Sequence, residues 1–189
     1  MARISRLALT ALIALVLIAC SGSPTAPKPD PLSQSSAVSV AMPDFKTSDD
    51  TTLRWRSQLI WVDDPEGQFE RRADMLQNSL QVEFERKGYQ FVGPNEQATY
   101  DVLAVAVLGD LKDQTEIEQI FRLYPSLASN SQGYTPGNVL VAIAPIGTTH
   151  IVWRGALEVF SNPGMQPIEV VQKRMQWAAR ALLASIPNY

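Results

Sequence analysis

Tyr100 to Leu108 reads YDVLAVAVL, nine residues with apolar side chains on both faces of an extended chain. Such a strand is stable only where both faces are covered, so it belongs in the interior of a sheet. That one stretch sets the architecture: strands on either side of it, and other elements over the faces. The rest of the chain supplies them. Leu53 to Val62 (LRWRSQLIWV) puts Leu53, Trp55, Leu59 and Trp61 on one face and Arg54, Arg56 and Gln58 on the other, the pattern of a half-buried strand. Tyr89 to Val92 reads as a short strand and Val139 to Ala144 as another apolar one. Pro145-Ile146-Gly147 then turns the chain. Thr149 to Phe160 returns with Ile151, Trp153, Gly155, Leu157 and Val159 inward and His150, Arg154 and Glu158 outward, completing a hairpin.

Two helices are readable from spacing. Asp63-Asp64-Pro65-Glu66-Gly67 resembles a turn into a helix, with Asp64 as N-cap, Pro65 at the first helical position and Glu66 near the positive end of the dipole. Phe69, Ala73, Leu76, Leu80 and Phe84 follow at three- and four-residue intervals, and Gly88 closes the helix after Arg86 and Lys87. Near the end, Pro167 to Ile186 carries Ile168, Val171, Met175, Ala178, Leu182 and Ile186 on one stripe, stopped by Pro187. Asp113 to Tyr124 suggests a short helix, and Pro125 to Gly137 (PSLASNSQGYTPG) a turn-rich loop suited to specialised contacts. The order β-α-β-β-(α)-β-β-α predicts an α+β fold: a two-layer α/β sandwich whose mixed, mostly antiparallel sheet has helices packed on one face. The opposite face is then partly solvated or covered from outside the domain. Trp55, Trp61, Trp153 and Trp177 fall at or near inward positions, as expected of an aromatic core.

The N-terminal stretch is an address. Arg3 and Arg6 precede an apolar run of 13 residues, Leu7 to Ala19, and then the single cysteine, Cys20. As a helix that run covers roughly 20 Å, against a hydrocarbon core of about 30 Å, so it matches a secretory signal rather than a span. Leu17-Ile18-Ala19-Cys20 resembles the bacterial lipobox, which implies cleavage before Cys20 and acylation of its sulfur and new amino group. Ser21 in place of aspartate implies the outer membrane, with the domain facing the periplasm. The expected organisation is a signal peptide at 1–19, lipidated Cys20 and a Pro/Ser-rich linker at 20–50, and one domain at 51–189. Without Arg3 and Arg6 the chain has 14 basic and 19 acidic residues, a net charge of about −5 with no Lys/Arg cluster. That balance argues against nucleic acid as a partner.

Several segments in order resemble one family: the helix ending in Phe84-Glu85-Arg86-Lys87-Gly88-Tyr89, the strand opening Tyr100-Asp101-Val102, Gly137-Asn138-Val139-Leu140-Val141, and Ile151-Val152-Trp153-Arg154-Gly155. With the lipobox, they are similar to the bacterial lipoproteins grouped as domain of unknown function 4136. The resemblance runs from Leu53 to Pro187, and Val152-Trp153-Arg154-Gly155 carries most of it. It implies a fold and an envelope address, and no catalytic residue. Ala142, Ala144 and Pro145 stand where many relatives carry an aspartate-containing strand end.

The chain offers little for chemistry. His150 is its only imidazole, no Gly-x-Ser-x-Gly elbow accompanies it, and Cys20 is consumed by lipid. One His and one Cys cannot build a structural zinc site. Asp49-Asp50 and Asp63-Asp64 lack the loop pattern that wraps calcium. The expectation is therefore a non-enzymatic module without cofactor or metal, bound to the membrane through acylated Cys20 and to an envelope protein or lipid through its surface. Arg54, Arg56, Tyr134, His150 and Arg154 are the candidate binding residues; the arginines and His150 would form a polar strip if their strands are neighbours. The alternatives are a lipid or small hydrophobic ligand held between helices and sheet, and a hydrolase whose carboxylates meet only in space.

Overall fold

The structure, a computed structural model, describes residues 35–62, 70–108, 135–161 and 166–188. Seven strands and two helices lie within these residues: β1 (Ser35–Ala41), β2 (Thr52–Trp55), β3 (Ile60–Val62), α1 (Glu70–Arg86), β4 (Gln90–Phe91), β5 (Tyr100–Leu108), β6 (Thr135–Pro145), β7 (Trp153–Ser161) and α2 (Ile168–Leu182). They form one mixed sheet in the order β1-β7-β6-β5-β2-β4, with β3 also paired to β5. From β1 to β5 every pairing is antiparallel; β2 and β3 run parallel to β5, and β4 parallel to β2. Both helices pack on one face, the α+β sandwich expected from the element order.

β5 is the interior strand its composition demands. Tyr100, Val102, Ala104 and Ala106 enter the helix-side core, whereas Val105 and Val107, with half-buried Leu103, join a second cluster on the other face with Leu140, Ala142 and Ala156. The helix-side core is built from Leu53, Leu76, Leu80, Phe84, Ile143, Trp153, Leu157 and Leu182. Around Phe84 the aromatic rings interlock: its centroid lies 5.8 Å from both Tyr89 and Phe91, and Phe91 stacks on Trp55 at 5.2 Å. Gly88, at φ 98°, makes the reversal that brings Tyr89 back onto Phe84.

The tryptophan and glycine of Trp153-Arg154-Gly155 are one packing unit. Both residues face the helices, and a Cβ on Gly155 would lie 2.6 Å from Trp153 Cη2 and 3.1 Å from Leu182 Cδ1. The indole therefore occupies the volume a side chain at position 155 would need.

The structure departs from the sequence reading in five places. Leu53 to Val62 is two short strands rather than one. Leu53 faces Tyr100 and Ile60 faces Val105, so seven steps on the first side match five on the second and two residues are looped out. Because that number is even, the pleat alternation survives the break, and Leu53, Trp55, Leu59 and Trp61 still share the helix side. Ser35 to Ala41 belongs to the sheet, not the linker, since β7 supplies the pairing that small Ser, Ala and Val residues do not signal on their own. Thr135 to Gly137 begins β6 rather than ending a loop, because it pairs with Val159 to Ser161. Ile151 packs with the second cluster while Val152 takes the helix side, since the alternation takes hold only at Trp153. Ile168 is 47% exposed: the first turn of α2 stands outside the core and the buried stripe begins at Val171. The expected helix cap at 63–67, the short helix at 113–124 and the loop at 125–134 lie outside the described residues.

Candidate binding surfaces

β2 and β7 are not neighbours, since β5 and β6 lie between them, so the arginines and His150 do not form the strip envisaged from alternation. Arg54 is held elsewhere. It sits opposite Asp101 in register, and its Nε and Nη2 donate to Asp101 Oδ1 at 3.1 and 3.0 Å. Nη1 also donates to the Pro94 carbonyl at 3.3 Å. Asp101 is only 7% exposed, so this pair neutralises a buried carboxylate rather than offering a free guanidinium.

Arg56 and His150 do come together, at the β6–β7 turn. Arg56 Nη1 donates to the Thr148 carbonyl at 3.2 Å, and the His150 backbone N–H donates to Thr148 Oγ1 at 3.3 Å. The His150 ring is bound in turn to Asp44, Nε2 to Oδ2 at 2.8 Å, with both side chains more than half exposed. That hydrogen bond, the largest cause, holds the Asp44 carboxyl below its ordinary range. Arg154 lies on the sheet face away from the helices, opposite Ala142 on β6 and Val40 on β1. Its Nε is buried without a hydrogen-bond partner among the described residues. Tyr134 and Cys20 are outside the described residues.

A further surface feature was not anticipated from sequence. The outer sides of α1 and α2 flank a recess of about 270 Å³ lined by Met75, Asn78, Glu83, Arg86, Gln176 and Arg180, among others. Glu83 lies at its base, 4% exposed. Arg86 grips that carboxylate with Nε and Nη2 at 2.8 and 2.6 Å, and Arg180 Nε stands 4.0 Å away. The bond to Glu83 raises the Arg86 pKa above its already high ordinary value. Glu83 and Arg86 are three apart on a helix, a pairing readable from spacing. The burial of Glu83 and the arrival of Arg180 follow only from the docking of α2. Unlike this surface recess, the space between helices and sheet is filled among the described residues: Leu53, Leu80, Phe84, Trp153, Leu157, Leu182 and Leu183 are each at most 1% exposed.

Among the described residues no group of three or more His, Cys, Asp or Glu is placed to hold a metal ion, and no helix is long and apolar enough to cross a membrane.

No family model matches the chain, and no curated protein does. Solved structures do. A PelC dodecamer from Paraburkholderia phytofirmans is similar over 78% of this chain and 97% of that one, at 9% identity and a TM-score of 0.43. A PDZ domain protein from Parabacteroides distasonis is similar over 82% of this chain and 38% of its own, at 7% identity and a TM-score of 0.46. A DUF4136 family protein from Bacteroides thetaiotaomicron, of the family the sequence motifs resemble, is similar over 78% of this chain and 94% of that one, at 13% identity and a TM-score of 0.46.

Proposed function

We propose that this chain is a lipid-anchored protein of the bacterial envelope, held to the outer membrane by acylated Cys20, whose periplasm-facing domain is a non-enzymatic binding or assembly-support module. The observation that carries the choice of role is the filled interior. Seven apolar side chains at the helix–sheet interface are at most 1% exposed, which leaves the described part of that interface no room for a lipid tail and favours contact through the surface. Two surfaces suit a polar partner: the turn carrying Arg56, His150 and Asp44, and the recess with Arg86 and Arg180 above Glu83. The lipobox supports the address, because several acyl chains on one cysteine give durable anchoring where one gives only reversible binding.

Photo-crosslinkers at Arg56 and at Gln176, in cells producing the full chain, test this reading. One discrete envelope protein trapped from either position is the expected result. Native mass spectrometry that instead finds a stoichiometric lipid on the purified protein, with no trapped protein, would replace it with the hydrophobic-ligand role. Cys20→Ala should move the protein out of the membrane fraction, and retention there would refute the anchor.

A further inference from the structure

β1 is an end strand of the sheet, and its outer edge has no strand partner among the described residues. Its sequence is SSAVSVA: seven residues with no charge and no proline, the two devices that most often protect an edge from pairing. The opposite end of the sheet is β4, two residues long and thus a poor template. β1 is open as well as unprotected. Ala37, Val40 and Ala41 are exposed, and Met42, just beyond the strand, is 38% exposed. Every second residue of such a strand turns its backbone N–H and C=O outward, ready for another ladder.

We infer that β1 pairs antiparallel with β1 of a second copy, joining two sheets across a two-fold axis at Val38. Three features select a second copy as the occupant. A two-fold contact sets each residue against its own symmetry partner, so like charges are the usual obstacle, and this strand has none. Centred on Val38, the pairing sets Val38 against the partner's Val38 and Val40 against the partner's Ser36, all on the sheet face away from the helices, so β-branched side chains meet at the axis. The neighbouring strands add no like-charge clash. Val40 is opposite Arg154 and Ser36 opposite Glu158, so this register places Arg154 of each copy in the same cross-strand row as the partner's Glu158, twice by symmetry. Three strand spacings separate them, about 14 Å between backbones, with only Val40 and the partner's Ser36 between. That separation exceeds the screening length of about 8–10 Å, so the row neither repels nor forms an ion pair in this register.

The anchor is compatible with this geometry. A two-fold axis normal to the sheet keeps both helix layers on the same side, and the starts of the two β1 strands lie roughly 21 Å apart. Fourteen residues separate Cys20 from Ser35. They reach at most about 50 Å, so two lipidated ends can enter one membrane.

Val38→Cys in the full-length chain tests the contact. Opposed Cα atoms at roughly 4.5–5.5 Å suit a disulfide, so mild oxidation should give a dimer that the parent chain does not form and that Val82→Cys, on exposed α1, does not reproduce. Sedimentation of the detergent-solubilised protein should show a dimer whose dissociation constant rises about tenfold in Val40→Lys, the loss expected for two weakened cross-strand contacts. Circular dichroism establishes that Val40→Lys is folded; if it is not, the Val38→Cys crosslink decides alone. A monomer at tens of micromolar with no Val38-dependent crosslink would overturn the inference. So would a Val38-dependent crosslink to a different protein, which would assign the edge to a heterologous strand.

Discussion

Lys87 and Ile186 are 99 positions apart, and the Lys87 ammonium donates to the Ile186 carbonyl at 2.9 Å. It also donates to Asn188 Oδ1 at 2.7 Å. A residue at the end of α1 thereby satisfies the acceptors that follow α2, and locks the two helices together where both leave the core.

Lys87→Ala should lower stability by about 2–3 kcal/mol in denaturant unfolding, since charge-assisted bonds to buried carbonyls are lost. The pH dependence has a defined sign. Burial, the main cause, pulls the Lys87 pKa below 10.5, so the unfolded chain binds the extra proton in the interval between the two values. The contribution of this residue therefore rises as pH climbs through that interval toward 10.5. Lys87→Met should abolish that slope.

Trp153→Ala should cost about 3–5 kcal/mol, because a 1%-exposed indole leaves a cavity between sheet and α2. Gly155→Ala tests the same contact from the other side. Its methyl would enter the space of the ring, and a loss of about 1–3 kcal/mol is expected from overpacking. An unchanged melting temperature in either variant would contradict the packing described for this motif.

Arg54 and Arg56 are two residues apart and should behave differently. Arg54→Ala strands the buried Asp101 carboxylate and should cost about 3 kcal/mol, with Arg54→Ala/Asp101→Ala recovering part of the loss. Arg56→Ala removes one exposed bond to a carbonyl and should stay within about 0.5 kcal/mol in thermal unfolding.

The His150–Asp44 contact predicts a titration rather than a stability effect. NMR of the Asp44 carboxyl should give a pKa below the usual aspartate range, moving up toward it in His150→Ala. Any contribution to stability is present above the ordinary carboxylate range and is lost as pH falls through the lowered value.

Most of the fold was legible because period and composition agreed. The two-faced apolar run of β5, the stripe of α1 and the β6–β7 hairpin each carry their own signal. β1 was not legible: Ser35 to Ala41 has only Val38 and Val40 of the β-branched and aromatic residues that mark a strand, and its pairing comes from Trp153 to Val159, far along the chain. The break between β2 and β3 was hidden for a different reason. Two looped-out residues leave the alternation intact, so a pattern read two residues at a time passes over them. The surface residues were the least legible. Alternation correctly put Arg54 on a face away from the helices, but Asp101, which decides that Arg54 is a structural partner, becomes its neighbour only through the pairing of β2 with β5. Glu83 became a buried base for two arginines only when α2 docked, a contact between helices that no local pattern encodes.

The pairing of Ser35 with Val159 also sets an order of events during synthesis. Of the described strands β1 leaves the ribosome first, yet its ladder partner β7 is the last one made. Until β7 is complete, β1 has no ladder partner among the described residues. A chain cut short before Trp153 would display that strand bare, so an intact C-terminal half is the condition for keeping it paired.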